Sequence, residues 1–383
     1  MKIAFYAPMK PPCHGRQSGD RLIARLLMAA LAGAGHQSCL ASVFRSRDGS
    51  GEQRRQERIR NLGARLAERL VRRYRAAAPG LRPELWFTYH VYHKAPDWLG
   101  PAVARALDIP YVVAEASFAP KQADGPWAMG HAAARDAIAA ADAVFCLNPA
   151  DAVCVRPLLD DARRLVPLKP FLEVARHPPR DPSGDTRRAL AAQYGLAPGD
   201  PWLIAVAMMR VGNKLDSYRL LAEALAGLEG ERWRLLVVGD GPVRAQVESS
   251  FARFTRGRVV FTGALAADRL RPLVANSDLF VWPGVREPIG MAMLEAQAAG
   301  VPVVAGDSPG IAAIVDDGRT GRLVPRGRVE AFSDAVAALL RAPAERLALG
   351  VRARQAALRD HDMDTASAAL DGVLRGLRAG QWP

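Results

Sequence analysis

Short, uniformly apolar runs alternate along this chain with longer stretches in which Ala and Leu recur at helical spacing. In the first part, residues 3–7, 38–43, 85–89, 111–114 and 143–147 read as strands, and helices fit over about 19–33, 53–76, 98–107 and 127–140. These strand runs do not alternate with polar residues, as expected when both faces of a sheet are covered. The succession of strand and helix implies a doubly wound parallel α/β sheet. Residues 167–185, PLKPFLEVARHPPRDPSGD, contain five prolines and no period, which places a boundary near 170. The pattern then restarts, with strands at 203–208, 234–238, 259–262, 279–282, 301–305 and 322–324. Two Rossmann-like halves result, and ligands in such sheets bind beyond the carboxyl ends of the strands. A cleft between the two halves is the expected site.

At 383 residues the chain is long enough for two ordinary cores. No apolar run approaches the roughly 18–20 residues of a spanning helix, and the opening MKIAFYAPMKPP suits a first buried strand better than a signal peptide. The four cysteines form no CxxC or Cys/His cluster, so neither a disulfide framework nor a zinc site is expected, and a reduced, cytoplasmic setting is. The net charge of +13 is concentrated in residues 45–75, where 11 Arg face 4 acids. There Ile59, Leu62, Leu66, Leu70 and Tyr74 form one apolar stripe with an arginine-covered back. Two readings fit: a sheet-covering helix with a solvated face, or contact with an anionic membrane or acidic acceptor. Nucleic acid fits less well, because no aromatic residues interleave with the arginines.

Several loops carry candidate chemistry. CHGRQSGD, with Gly15 and Gly19, is either a plain glycine turn before a helix opened by Asp20 or a backbone approach to phosphate. After the strand at 203–208, RVGNK places Arg210 and Lys214 just before a helix opened by Asp216 or Ser217. At a strand's carboxyl end these two cations suit a diphosphate, although solvated surface cations are the commoner case. The stretch REPIGMAMLEAQAAG holds Glu287 and Glu295 with seven residues between them. On one continuous helix that step spans about 12 Å, whereas a glycosidase pair needs roughly 5–9.5 Å. Pro288 assigns Glu287 to the loop and Glu295 to the following helix. Between them lie free N–H groups around Gly290, Met291 and Ala292, an end that attracts phosphate. Two carboxylates flanking a diphosphate and accepting from hydroxyls on either side fit this order, as does a capped helix with two exposed acids.

REPIGMAMLEAQAAGVPVVAGDSPGIAAIVDDGRTGRLVP resembles the donor-site segment of retaining glycosyltransferases of the GT-B fold, more narrowly family 4 with its E-x7-E pattern. VVGDGPVRAQVE and RVVFTGALAADRLRPLVANSDLFVWPG resemble the same family in the same order. The match is specific over about 200–325 and organisational over 1–170. It implies an N-terminal acceptor-binding domain at 1–170, a nucleotide-sugar-binding domain at 171–360, and a final helix at 361–383 that folds back toward the first domain. It also implies transfer of a sugar from a nucleoside-diphosphate sugar with retention at the anomeric carbon. Under it Glu287 binds the donor sugar's hydroxyls, Glu295 the ribose, and Arg210 and Lys214 the diphosphate. The Gly290, Met291 and Ala292 amides face phosphate or sugar, and Gly239, Asp240, Gly263, Leu265 and Ile289 complete the donor pocket.

The chain departs from the family at three places. Arg210 and Lys214 have three residues between them where the family commonly has four. Where the family often has a histidine after the fourth strand, VVAEASF offers Glu115 and Ser117, so that role passes to His90, His93 or His131, or is absent. The first glycine loop lacks the common double glycine. RDHDMD has DxD spacing but precedes a helix where acids are ordinary caps, so no metal is expected. The acceptor implied is a saccharide or lipid-linked species of envelope or exopolysaccharide synthesis, with peripheral contact at the inner membrane face through 45–75. The rival functions are a nucleotide-sugar epimerase or hydrolase of the same architecture, and a non-catalytic nucleotide-sugar-binding protein.

Overall fold

The computed structural model describes residues 1–15 and 18–382. They divide into two compact units: residues 1–169 with 363–382, and residues 170–362. Arg16 and Gln17, within the first glycine loop, lie outside the described residues.

Unit 1 is a parallel sheet of six strands: β1 (Lys2–Tyr6), β2 (Gln37–Ser42), β3 (Leu85–Val91), β4 (Tyr111–Ala116), β5 (Ala143–Cys146) and β6 (Leu165–Pro167), in the order β2-β1-β3-β4-β5-β6. The sequence pattern shows the first five; β6 has only three residues and opens the proline-rich connector, so no period marks it. Central β4 is buried at every position, whereas edge strand β2 buries only Ala41, its other positions being exposed or half-buried. A row of rings, Phe5–Phe87 at 5.7 Å and Phe87–Phe145 at 6.3 Å, lies across three strands. Burying each such ring contributes roughly 1.5–3 kcal/mol. The helix Met363–Arg378 closes this unit against the helix Gly19–Gly33, where a Cβ on Gly33 would meet Ser367 Oγ at 3.2 Å. Asp371 on that closing helix pairs with buried His36 at 3.0 Å.

Unit 2 has β7 (Trp202–Val206), β8 (Arg234–Val238), β9 (Val259–Gly263), β10 (Leu279–Trp282), β11 (Val303–Gly306) and β12 (Gly321–Val324). Its six strands run parallel in the order β12-β11-β10-β7-β8-β9. The strand order reverses beside β7, so the crossover helices leave β7 and β10 toward opposite faces. The carboxyl ends of those two strands are the crevice at which such sheets take ligands.

The exits of β7 and β8 are held together by backbone. Ala207 N–H donates to Val238 O and Met209 N–H to Asp240 O, both at 3.0 Å. That approach leaves no room for side chains on β8's exit. A Cβ on Gly239 would lie 1.9 Å from Ala207 O, and one on Gly241 2.1 Å from Met209 O. Gly239→Ala must therefore push the loop that carries Arg210 away from β8. The expected cost is about 2 kcal/mol, seen as a fall of roughly 4–8 °C in the melting of unit 2. An unchanged melting temperature would show that this loop is not anchored on β8.

Candidate functional site

The site in unit 2 is assembled from the exits of β7 and β10. After β7 the chain turns at Gly212, whose φ of 78° is open to glycine, and the helix Asn213–Ala226 begins at once. The sequence pattern places this helix start at Asp216 or Ser217; it comes earlier because Gly212 supplies the turn, and Lys214 therefore lies in the first helical turn. Ser217 is instead a bracket, its Oγ donating to Asn213 O at 2.7 Å and accepting from Val285 N–H at 3.0 Å. It ties the loop after β10 to the helix after β7.

After β10, a turn closed by Glu287 N–H to Gly284 O at 3.2 Å carries Arg286 in a left-handed conformation (φ 55°). Non-glycine residues rarely adopt this region. The loop is braced from behind by the short helix Pro309–Ala312. A Cβ on Gly310 would lie 1.7 Å from Pro288 O, and Ser308 Oγ donates to Glu287 O at 3.3 Å. The helix Met291–Ala298 then starts from Gly290, which offers no capping side chain, so the Met291 and Ala292 N–H groups have no intrahelical partner, while Met293 N–H donates to Gly290 O at 2.9 Å.

These elements bring Lys214 and Glu287 together as an ion pair. Trp282, the last residue of β10, donates its indole N–H to the same Glu287 oxygen at 3.2 Å, and the Lys214 ammonium lies 5.2 Å from the centre of its ring. Tyr218 packs edge-on against Trp282 at 4.9 Å and bonds Ala207 O at 2.7 Å. Sequence reasoning passed over Trp282 because its pattern marks only a buried strand; its position as the last apolar residue before Pro283 was the available signal. Among the described residues, the Arg210 guanidinium and the Glu295 carboxylate have no hydrogen-bond or ion-pair partner. Burial pushes Glu295 up to about 7, with Arg271 pulling the other way. Around the same end, Gly239 N–H donates to Gly263 O at 2.9 Å, and exposed Asp240 pairs with Arg244 at 3.3 Å. Leu265 follows Gly263 as a half-buried residue, and Ile289 is buried in the Glu287 loop. Met291 and Ala292, in the first helical turn, are half-buried. The arrangement can hold an anion at the unpaired cation and the helix start, and hydroxyls at the carboxylates.

In unit 1 the candidates separate into two groups. His90 at the end of β3 bonds Asp20 at 3.1 Å, and Glu115 at the end of β4 accepts Leu147 N–H at 3.3 Å. Asp20 is not the helix cap expected from the sequence; Ser18 accepts Arg21 N–H and fills that role, which leaves Asp20 for His90. His93 instead packs edge-on against Trp127 at 5.9 Å, and buried His131 stacks on Phe118 at 4.4 Å. Among the described residues a Cβ on Gly15 or Gly19 would meet nothing within 4 Å, so no close approach of those residues requires either glycine. Asp362, in the DxD stretch, accepts Val174 N–H at 2.9 Å, and no group of metal-ligating side chains occurs among the described residues.

Residues 200–342 match the family model of the glycosyl transferases group 1. That segment contains every element of the unit 2 site. The chain is also similar to the alpha-D-kanosaminyltransferase of Streptomyces kanamyceticus, 30% identical over 199 residues that make up 51% of this chain and 51% of that protein. It spans about half the length or less of the first curated relatives it matches. Among solved structures it resembles a sucrose-phosphate synthase from Thermosynechococcus elongatus, with a TM-score of 0.74 at 20% identity over 99% of both chains. It also resembles Anabaena HepE in complex with UDP-glucose, with a TM-score of 0.73 at 17% identity, covering 98% of this chain and 100% of that one. The fold class is GT-B, two Rossmann-like α/β units.

The raised Glu295 carboxyl has a signed consequence for stability. The folded protein holds a proton that the unfolded chain releases near 4.5, so stability falls as pH rises from about 4.5 to about 7 and is level above that. Glu295→Gln removes this decline. In unit 2 the variant should match the wild type near pH 4 and exceed it at pH 8, by on the order of 3 kcal/mol. Denaturant titrations at the two pH values measure the difference; a variant less stable at both would show that the carboxylate is paired.

Proposed function

We propose that this protein is a retaining glycosyltransferase that moves a sugar from a nucleoside-diphosphate sugar to a saccharide or lipid-linked acceptor. The reading rests on one observation: an unpaired Arg210 and an uncapped helix start at Gly290 stand at a strand-order reversal flanked by Glu287 and Glu295. A diphosphate takes the guanidinium and the Met291 and Ala292 N–H groups, with Lys214 beside it. Glu287, already held by Trp282, accepts from the donor sugar's hydroxyls, and Glu295 from the ribose. The base lies along Gly239, Asp240, Gly263, Leu265 and Ile289. The likeness to a protein solved with UDP-glucose makes UDP the first nucleotide to try.

In the transfer, the bond from the anomeric carbon to the phosphate oxygen breaks and its electron pair leaves with the diphosphate. The acceptor oxygen bonds to the same face of that carbon, and its proton passes to the departing phosphate. Negative charge grows on the diphosphate, so fixed cations and a helix end stabilise the transition state without a metal. Lys214 serves both partners: paired with Glu287 in this structure, it turns toward the diphosphate as charge develops there.

Unit 1 supplies the acceptor side. The helix Gln53–Ala76 turns Gln56, Gly63, Ala67 and Leu70 inward and leaves Arg54, Arg55, Arg58, Arg65, Arg69 and Arg72 exposed. We read that face as contact with an anionic membrane carrying the acceptor. Among the described residues no helix is long and apolar enough to cross a membrane.

A thermal-shift panel of UDP, GDP and ADP with their sugars tests the donor reading. One nucleotide should raise the melting temperature, and Arg210→Ala should weaken its binding roughly tenfold or more, as loss of a charged hydrogen-bonding partner requires. No shift with any nucleotide would end the proposal. Vesicle co-sedimentation tests the membrane contact separately. Neutralising Arg54, Arg55 and Arg58 together should weaken binding to phosphatidylglycerol vesicles by about tenfold or more, and equal binding by the variant would remove the membrane from the reading.

A further inference from the structure

At the other strand-order reversal, between β1 and β3 of unit 1, a second set of polar groups converges. The penultimate residues of adjacent strands β3 and β4, His90 and Glu115, both adopt left-handed backbone, with φ of 66° and 62°. The strand register pairs Tyr89 with Ala114 and Val91 with Ala116, so the two irregular residues lie at matching positions of neighbouring strands. Asp20 comes from the start of the helix after β1 and bonds His90. Asp151, from the helix Pro149–Val155 after β5, bonds Asn148 at 3.0 Å and the side chain of Ser117.

Two residues of this set are mostly buried yet keep a polar atom without a hydrogen-bond partner among the described residues. Tyr89 is 2% exposed and Glu115 is 5% exposed. Among the described residues the Tyr89 hydroxyl has no hydrogen-bond partner, and Glu115 uses one oxygen only, to accept from Leu147 N–H. The Asp20 and Glu115 charges both act on the Tyr89 phenol, which burial and those charges hold well above its ordinary acidity constant. Burial pushes Glu115 up to about 7, helped by Asp151 and Asp20 and opposed by His90. Against the cost of burial, Asp20 and the other two acids raise His90, so its imidazole favours the charged form. Beside the cluster a chain of rings runs outward: His90 to Tyr92 at 5.0 Å, Tyr92 to His93 at 5.3 Å, and His93 to Trp127 at 5.9 Å.

We propose that this cluster seats the acceptor's reacting ring, and that the ring is a neutral polyol without a phosphate on it. The inference rests on the glycosyltransferase reading and names its acceptor class. Hydroxyls donate to the carboxylates of Asp20, Glu115 and Asp151, while the Tyr89 and Ser117 hydroxyls can donate or accept. A phosphate would need donors and cations where this set presents three carboxylates. Among the described residues, Lys10 bonds Ser18 Oγ at 2.7 Å, Arg47 bonds Tyr92, and the Lys94 ammonium lies 3.9 Å over the Trp127 ring. The flat ring of Tyr92 suits the apolar face of a sugar or cyclitol.

Saturation-transfer NMR on the full chain tests this with myo-inositol and methyl α-mannoside, against inositol 3-phosphate and mannose 6-phosphate. The neutral polyols should bind at least fivefold better than the phosphate esters. Tyr89→Phe and Asp151→Asn should each weaken neutral-polyol binding threefold or more, with unchanged circular dichroism. Phosphate esters binding as well as the neutral polyols would overturn the inference. So would the absence of polyol binding, or variants that bind polyols as the wild type does. Nucleotide binding measured on the same samples separates the two readings. A bound nucleotide with the wrong polyol pattern sinks only the acceptor class, whereas no nucleotide binding sinks the donor reading.

Discussion

A parallel sheet that grows in both directions from its first strand cannot cover its own carboxyl edge at the point of reversal. The helices on the two sides leave toward opposite faces, and the loops that lead into them part. In unit 2 this happens between β7 and β10. Everything in the candidate site follows from it: Arg210 and Lys214 leave with the first strand, and Trp282, Glu287 and Gly290 with the other. The Lys214–Glu287 ion pair joins the two loops that the topology separates. Unit 1 repeats the constraint between β1 and β3, where Asp20 and His90 make the corresponding join.

What fixes these side chains is mostly backbone against backbone. Gly239 and Gly241 let the exit of β8 lie on the loop carrying Arg210, and Gly310 lets a short helix lie on the loop carrying Glu287. Such contacts hold charge in place before a ligand arrives, which is how a fixed polar site avoids reorganising as charge develops. The Glu295 carboxylate is the cost of that arrangement. It sits in a helix without a partner, and burial makes it a weak acid.

The alternation of apolar runs and helical stretches was enough to read eleven strands, because buried parallel strands carry their signal in short local windows. The three-residue β6 carries none. Glu287 and Glu295 were legible because Pro288 and Gly290 fix where loop ends and helix begins. Other residues were not, since their roles are set by partners far along the chain. Ser217 looks like a helix opener until Val285, from another loop, bonds to it. Asp20 looks like a cap until His90, seventy residues away, claims it. Gly239 stands in the donor pocket that the resemblance implies, yet its lack of a side chain is already required by Ala207 O. Tyr89 reads as one more core aromatic, and only the folded chain shows its hydroxyl without a partner among the described residues.

The helix Met363–Arg378 gives the molecule an order in time. Its Ala366, Leu370, Val373 and Leu374 are buried in unit 1, and Arg378 reaches Glu84 at 3.0 Å. Unit 1 is therefore written in two pieces, with the whole of unit 2 between them. As the chain is synthesised from its amino end, residues 170–362 are complete before the last piece of unit 1 exists, and domains fold as units when their sequence is available. The second half can mature first, while the first half waits with the outer face of Gly19–Gly33 uncovered until the final helix arrives.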